Sequence, residues 1–286
     1  MTSLRTHLVL GRVSNLATVW SNIVCAWIIV GGYDALELAG FLAGSSLLYT
    51  GGMYLNDYFD REFDQRYRPE RPIPSGKIPA NAVRNWGFAY LGAGLAAIGW
   101  IGWTPLAIAA GVTVFILLYD IGHKNNPISP VYMAACRAGL FLMVAGAFPN
   151  GIDTYNLIAA GTVFTFIMGV TFLARSEATD NAIDYPALVM IALPIVGAFY
   201  YRSESFDAQR GAVVALVLAW YVRAFLRARI EGKLVIGKTI APLLASIPLL
   251  DLMIVSTLGL ATQNHLFIFA AFFAATTAAQ RYVAST

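Results

Sequence analysis

The stretch NDYFDREFD, Asn56 to Asp64, holds four oxygen-bearing side chains that can act together. On a helix at about 100° per residue, Asn56, Asp57, Asp60 and Asp64 share one arc of about 100°, and Glu62 points elsewhere. Hard divalent cations such as Mg²⁺ take oxygen ligands and usually keep substrate phosphates in their shell, so the spacing suits a metal held against phosphate. A solvated helix end with scattered acids would give the same letters. Acids are scarce in the rest of this chain, however, and carboxylates at a membrane edge tend to be functional.

A second cluster lies in RSEATDNAID, where Glu177, Asp180 and Asp184 fall within an arc of about 60° if the segment is helical. Two acidic arcs on one side of a bundle suggest an internal duplication with a two-metal diphosphate site between its halves, each metal bridging protein oxygens to phosphate. Arg66, Arg68, Arg71 and Lys77 follow the first arc directly. Arginine forks phosphate bidentately and lysine acts as a point charge. Pro69, Pro72, Pro74 and Pro79 restrict this loop, which lowers the entropy lost when it orders over a ligand. A basic loop that only sets topology or touches anionic lipid would explain the bases but not the acids beside them.

These groups need a scaffold, and the composition specifies its kind. The 286 residues are 58% hydrophobic and 12% charged, far below the charge content of a soluble globule. Apolar segments fall at about 13–32, 36–55, 83–103, 105–120, 131–149, 155–174, 186–201, 210–226, 239–260 and 264–282. In lipid each must satisfy its own backbone, so each is expected to be a helix. The expected fold is all-α: a polytopic membrane bundle of nine or ten transmembrane helices, forming one integral membrane domain over residues 1–286. The first apolar segment is too long for a signal-peptide core and is expected to be retained. All but Arg202 and Arg210 of the 19 basic residues fall on one side when residues at helix ends go to the nearest loop, which places that side in the cytoplasm. The net charge of +3 gives no reason to expect nucleic acid. Cys25 and Cys136 read as small buried hydrophobes, and His7, His123 and His265 are too scattered to form a ligand cluster.

NDYFDREFD matches the NDxxDxxxD motif of the UbiA family of intramembrane prenyltransferases, and RPERPIPSGKIP, Arg68 to Pro79, resembles that family's continuation. GRVSNLATVWSN, Gly11 to Asn22, is similar to its opening segment, and YDIGHK, Tyr119 to Lys124, to its tyrosine-lysine loop. The resemblance covers essentially the whole chain. It implies a helical bundle around a central cavity and two Mg²⁺ ions held by the two acidic motifs, with a prenyl diphosphate between them. The implied metal ligands are Asn56, Asp57, Asp60, Asp64, Glu177, Asp180 and Asp184. Two features depart from the common pattern: Glu177 stands where the second motif usually opens with aspartate, and Tyr119 to Lys124 is one residue longer than the usual spacing. Among family branches these features look closest to the EboC-like group.

The expected reaction is Mg²⁺-dependent transfer of a prenyl group from a polyprenyl diphosphate to a lipophilic or aromatic acceptor within the membrane. Arg12, Arg71, Lys77, Lys124 and Arg137 are the candidates for holding the diphosphate, and Asp64 or Asp180 for taking the acceptor's proton. Tyr54, Tyr119 and Tyr132 could face the allylic cation, although interfacial or packing roles are the commoner use of such rings. The expected partners are prenyl diphosphate, a lipophilic acceptor and membrane lipid. The expected location is multi-pass in a bacterial plasma membrane, with the site facing the cytoplasm. Two alternatives stand beside this one: a terpene cyclase on the same scaffold, and a non-catalytic membrane component for export of a lipophilic metabolite.

Overall fold

Long runs of Ala, Leu, Ile, Val and Phe with few charges leave a chain one way to pair its backbone away from water, and the computed structural model is helical nearly throughout. It describes residues 3–122, 126–176, 184–200, 208–230 and 233–283. In chain order the helices are α1 Leu4–Leu10, α2 Leu16–Ile29, α3 Ala35–Phe59, α4 Arg61–Tyr67, α5 Ala80–Ile101, α6 Trp103–Gly122 and α7 Ser129–Ala145. They continue with α8 Thr154–Ser176, α9 Tyr185–Tyr200, α10 Ala208–Arg227, α11 Gly237–Ala245, α12 Ile247–Thr257 and α13 Gln263–Ala279. A short antiparallel ribbon, Arg229–Ile230 against Lys233–Leu234, separates α10 from α11.

Each of the ten apolar segments read from the sequence is a helix or a bent helical pair. By length and composition, α6, α8 and α10 are sufficient to cross a membrane. The count rises to five if each bent pair is one span: α1 with the run Val13–Ile29, bent by 58°, and α11 with α12, bent by 45°. Pro242 and Pro248 flank the second bend, where proline removes backbone donors. At the first bend Arg12 takes a left-handed backbone conformation, with φ of 41°, uncommon for a residue with a side chain. The Tyr49 hydroxyl donates to the Arg12 carbonyl at 3.2 Å and helps to hold this turn.

Helix α2 is central, packing on α3, α7, α12 and α13. Consecutive helices pack pairwise along α6, α7, α8 and α9, and α3 lies along α5. The core they enclose is apolar, with Phe41, Phe141 and Phe166 among its largest buried side chains. Outward-facing Val114, Leu118, Val189, Val196, Leu218 and Val222 are exposed, as expected of a surface solvated by lipid rather than water.

The α3–α5 contact depends on glycine. A Cβ on Gly51 would lie 2.8 Å from the Gly87 carbonyl oxygen, and one on Gly94 would lie 3.0 Å from that of Gly44. Small residues let the two backbones approach this closely, and this approach sets where the C-terminal end of α3, with its acids, emerges from the bundle. Gly51→Leu should therefore destabilise the protein by about 1–3 kcal/mol through overpacking, read as a lower thermal midpoint of the purified protein in detergent. Gly92→Leu, whose side chain would enter open space from the same face-forming helix α5, should leave the midpoint unchanged. Equal midpoints for the two variants would contradict the close-approach account.

Candidate diphosphate and metal site

The acid arc forms at the joint between α3 and α4. Helical hydrogen bonding runs through it: the Asp60 N–H donates to the Asn56 carbonyl and the Asp64 N–H to the Asp60 carbonyl, both at 2.9 Å. The arc therefore survives the break at Asp60. Asn56, Asp57, Asp60 and Asp64 are all buried, whereas the Glu62 side chain is exposed.

Beyond α4 the chain doubles back through a series of turns. Gly76 supplies a left-handed residue with φ of 73°, and the Lys77 N–H closes on the Pro72 carbonyl at 3.1 Å. This path returns Arg71 to the acids. Its Nη1 donates to Asp57 Oδ1 at 3.2 Å and to Asp64 Oδ2 at 3.0 Å. From the other side, Arg12 Nη2 donates to Asn56 Oδ1 at 3.0 Å and to Asp57 Oδ1 at 3.3 Å. One oxygen of Asp57 thus sits between two guanidiniums. The Asn56 amide then donates to Asp120 Oδ1 of α6 at 3.1 Å, adding a further buried carboxylate.

Among the described residues, the carboxylates of Asp57, Asp64 and Asp120 face the two guanidiniums of Arg12 and Arg71. Asp64 Oδ1 and Asp120 Oδ2 are buried without a hydrogen-bond partner among the described residues. Unpaired buried carboxylate oxygens are costly, and a cation relieves that cost. Among the described residues no three Asp, Glu, His or Cys groups converge tightly enough to cage a metal by themselves. That fits Mg²⁺, which needs only one or two carboxylates when phosphate oxygens and water complete its shell. The donor set is all oxygen, the chemistry Mg²⁺ selects.

Two cavities lie beside this cluster, one lined by Asp57 and the other by Asp120. The outer one, of about 690 Å³, is the polar mouth, lined by Arg5, Arg12, Asp57, Arg68, Arg71 and Lys77 among others. The inner one is narrower, about 90 Å³, and mostly apolar. Leu48, Met53, Val112, Ile116 and Leu140 line it, with Tyr49, Tyr119 and Asp120 at its polar side. Asp120 lines the inner cavity and accepts from Asn56 of the acid arc.

The residues singled out from sequence are placed as follows. Arg12, Arg71 and Lys77 line the mouth. Arg137 does not: it stands in α7 and lines the inner cavity, donating to Asn22 Oδ1 and Thr18 Oγ1 of α2, each at 3.0 Å. Asp184 precedes α9 and accepts the Ala187 N–H at 3.1 Å, so its carboxylate caps that helix. The residues between Ser176 and Asp184 lie outside the described residues. Lys124, Glu177 and Asp180 lie outside the described residues. Tyr119 lines the inner cavity, Tyr132 stacks on Phe115, and Tyr54 bonds His7 at 2.7 Å in a separate cluster with Leu10, Ile78 and Val83.

Sequence reasoning passed over Asp120 and Asp251, each an acid inside an apolar segment. The cost of a carboxylate in such a segment was signal enough to single them out. Asp251 is fully buried, accepting from the Ser21 hydroxyl and, with both oxygens at 3.0 Å, from Asn22 Nδ2.

The helical bundle carries an acid-and-arginine cluster beside an apolar cavity, and the comparisons with known proteins agree on the family. Residues 16–284 match the UbiA prenyltransferase family, and the chain belongs to it. It is 30% identical over 179 residues, 62% of this chain, to a digeranylgeranylglyceryl phosphate synthase of Methanothrix thermoacetophila. It is 33% identical over 199 residues, 67% of this chain, to a 4-hydroxybenzoate octaprenyltransferase of Paraburkholderia phymatum. The matched stretches span 64% and 57% of those relatives, so the chain spans less than two thirds of the length of either. In fold it is similar to a UbiA homolog from Archaeoglobus fulgidus bound to GPP and Mg²⁺, with a TM-score of 0.62 at 14% identity, covering 96% of this chain and 99% of that one. A digeranylgeranylglyceryl phosphate synthase structure gives a TM-score of 0.61 at 21% identity with the same coverage.

Arg71 is the cation shared by Asp57 and Asp64, with most of its side chain out of solvent. Arg71→Gln leaves Asp64 without its cation and Asp57 with Arg12 alone, and should cost about 3 kcal/mol or more, read as a lower thermal midpoint in metal-free buffer. Added Mg²⁺ should raise the midpoint of the variant more than that of the unaltered protein. An unchanged midpoint without metal would contradict the pairing.

Proposed function

We propose that this protein transfers a prenyl group from a polyprenyl diphosphate to a lipophilic acceptor inside the membrane, with Mg²⁺ bound at the mouth. One observation carries the reading: a buried acid arc with flanking arginines is hydrogen-bonded through Asn56 to Asp120, which lines an apolar cavity. A prenyl diphosphate has the same polarity along its length, with charge at one end and hydrocarbon at the other. The family supports the reading, because relatives in it are named as prenyl-transferring enzymes.

Asn56, Asp57 and Asp64 would hold Mg²⁺ on this side of the site, with Asp60 and the acids at 177 and 180 as further candidates. When bound, the metal neutralises diphosphate charge and makes it a better leaving group. The chain's own residues do the rest. Arg71 and Arg12 can exchange a carboxylate partner for a diphosphate oxygen, and the exposed Arg68 and Lys77 at the mouth can hold the departing charge. The apolar walls keep water from the allylic carbon, and the Tyr119 ring offers a face to its developing positive charge. An acid with an unpartnered oxygen can take the acceptor's proton, and Asp64 and Asp120 each keep one. The site then opens on the cytoplasmic side, the side that carries nearly all the basic loops. The acceptor is a lipophile able to enter the inner cavity.

Asp64→Asn keeps the side chain's size and removes its charge. Turnover of labelled geranylgeranyl diphosphate should fall by about a hundredfold or more, and EDTA should abolish it in the unaltered enzyme. Arg68→Ala should have a milder effect, because that residue lines the mouth without touching the acid arc. Undiminished turnover by Asp64→Asn would contradict the site assignment. Conversion of the diphosphate to a cyclic hydrocarbon without any acceptor would replace transfer with cyclisation.

A further inference from the structure

Among the described residues Arg137 is the single cation lining the inner cavity, and its surroundings are built to hold it there. Its Nη1 and Nη2 each donate one hydrogen bond at 3.0 Å, to Asn22 and Thr18, and both acceptors are neutral. A guanidinium has five N–H donors, so capacity remains on the cavity side. Among the described residues no carboxylate lies within ion-pair distance of it. The Tyr49 ring stands 6.0 Å from its Cζ, forming an aromatic wall beside the charge.

Asp251 controls this arrangement without touching Arg137. Asn22 has one carbonyl oxygen and one NH₂ group. Its NH₂ is spent on both oxygens of Asp251, at 3.0 Å each, so the carbonyl oxygen is the atom left to face Arg137. A flipped amide would lose both sets of bonds. The Ser21 hydroxyl fixes Asp251 from the side. Helix α12 thereby orients a guanidinium carried by α7 through an amide carried by α2.

We propose that Arg137, aimed by Asp251 through the Asn22 amide, is the recognition site for an oxyanion on the acceptor substrate within the inner cavity. The proposal deepens the prenyl-transfer reading and rests on it. A guanidinium in an apolar wall without a directly bonded carboxylate is expensive, and a carboxylate or phosphate entering the cavity offsets that cost with a forked, charge-assisted pair. The diphosphate has its own cations at the mouth, Arg12, Arg71 and Lys77, none of which lines this cavity. The anion that reaches Arg137 therefore belongs to the second substrate. Arg137 is the binding group, and Asp251 is a positioning residue.

The test uses the full chain in nanodiscs with labelled geranylgeranyl diphosphate and matched acceptors. One pair is 4-hydroxybenzoate against 4-hydroxybenzamide, and the other is geranylgeranylglyceryl phosphate against its dephosphorylated alcohol. The charged member of one pair should be prenylated with a KM lower by about tenfold or more than its neutral partner, and which pair responds separates carboxylate from phosphate. Arg137→Gln should abolish that preference by raising the KM for the charged acceptor, with the KM for the prenyl diphosphate staying within about twofold. Arg137→Lys should restore part of the preference. Asp251→Asn should weaken it in the same direction, and an intact preference in Asp251→Asn would remove Asp251 from the site. Equal use of charged and neutral acceptors, no transfer to any charged acceptor, or a raised KM for the prenyl diphosphate in Arg137→Gln would overturn the proposal. Failure of the unaltered protein to release diphosphate at all would instead overturn the prenyl-transfer reading beneath it.

Discussion

The bridge that Arg71 makes between Asp57 and Asp64 is the contact on which the rest of the site depends. Buried acids at the end of an apolar helix cannot stay charged side by side without a cation between them. Arg71 supplies it from a loop that returns through proline-restricted turns, and Arg12 supplies a second from a left-handed turn at the bend between α1 and α2. Both depend on α3 ending where it does, which in turn depends on the glycine-mediated approach of α3 to α5. Charge compensation in the mouth and backbone packing in the bundle are thus one problem. Among the described residues Asp57, Asp64 and Asp120 outnumber these two guanidiniums, which would suit the mouth to a divalent cation and an anionic ligand together.

The inner cavity continues the same logic in a drier place. Its walls are hydrocarbon and aromatic, with Asp120 tying it to the acid arc and Arg137 tying it to the Asn22–Asp251 network. Opposite charges at separate points of an apolar cavity orient a ligand more sharply than hydrophobic contact, which fixes position only loosely. Asp120 and Arg137 are each held there by neutral partners from neighbouring helices, so the cavity's chemistry and the order of the bundle support each other.

Much of this was legible in the sequence. The ten apolar segments became ten helices or bent pairs because backbone pairing in lipid leaves no alternative. The arc from Asn56 to Asp64 kept its geometry because helical hydrogen bonds run through Asp60. What stayed hidden depended on tertiary approach. Counting Arg137 with the nearest basic loop could not reveal that its side chain turns into the bundle toward Thr18 and Asn22. Asp251 lies more than two hundred residues from Asn22 in sequence, and no local spacing announces that pairing. Asp184 accepts the Ala187 N–H at the start of the next helix, and Glu177 and Asp180, read with it as one arc, lie outside the described residues.

The central claim is that the mouth binds diphosphate through Mg²⁺ held by Asp57 and Asp64. Calorimetric titration of geranylgeranyl thiolodiphosphate, which binds without reacting, into the protein in nanodiscs tests it most directly. The account predicts tight binding only when Mg²⁺ is present, and loss of that Mg²⁺ dependence in the Asp57→Asn, Asp64→Asn double variant. Equal affinity with and without Mg²⁺ in the unaltered protein, or an unchanged Mg²⁺ effect in the double variant, would contradict it.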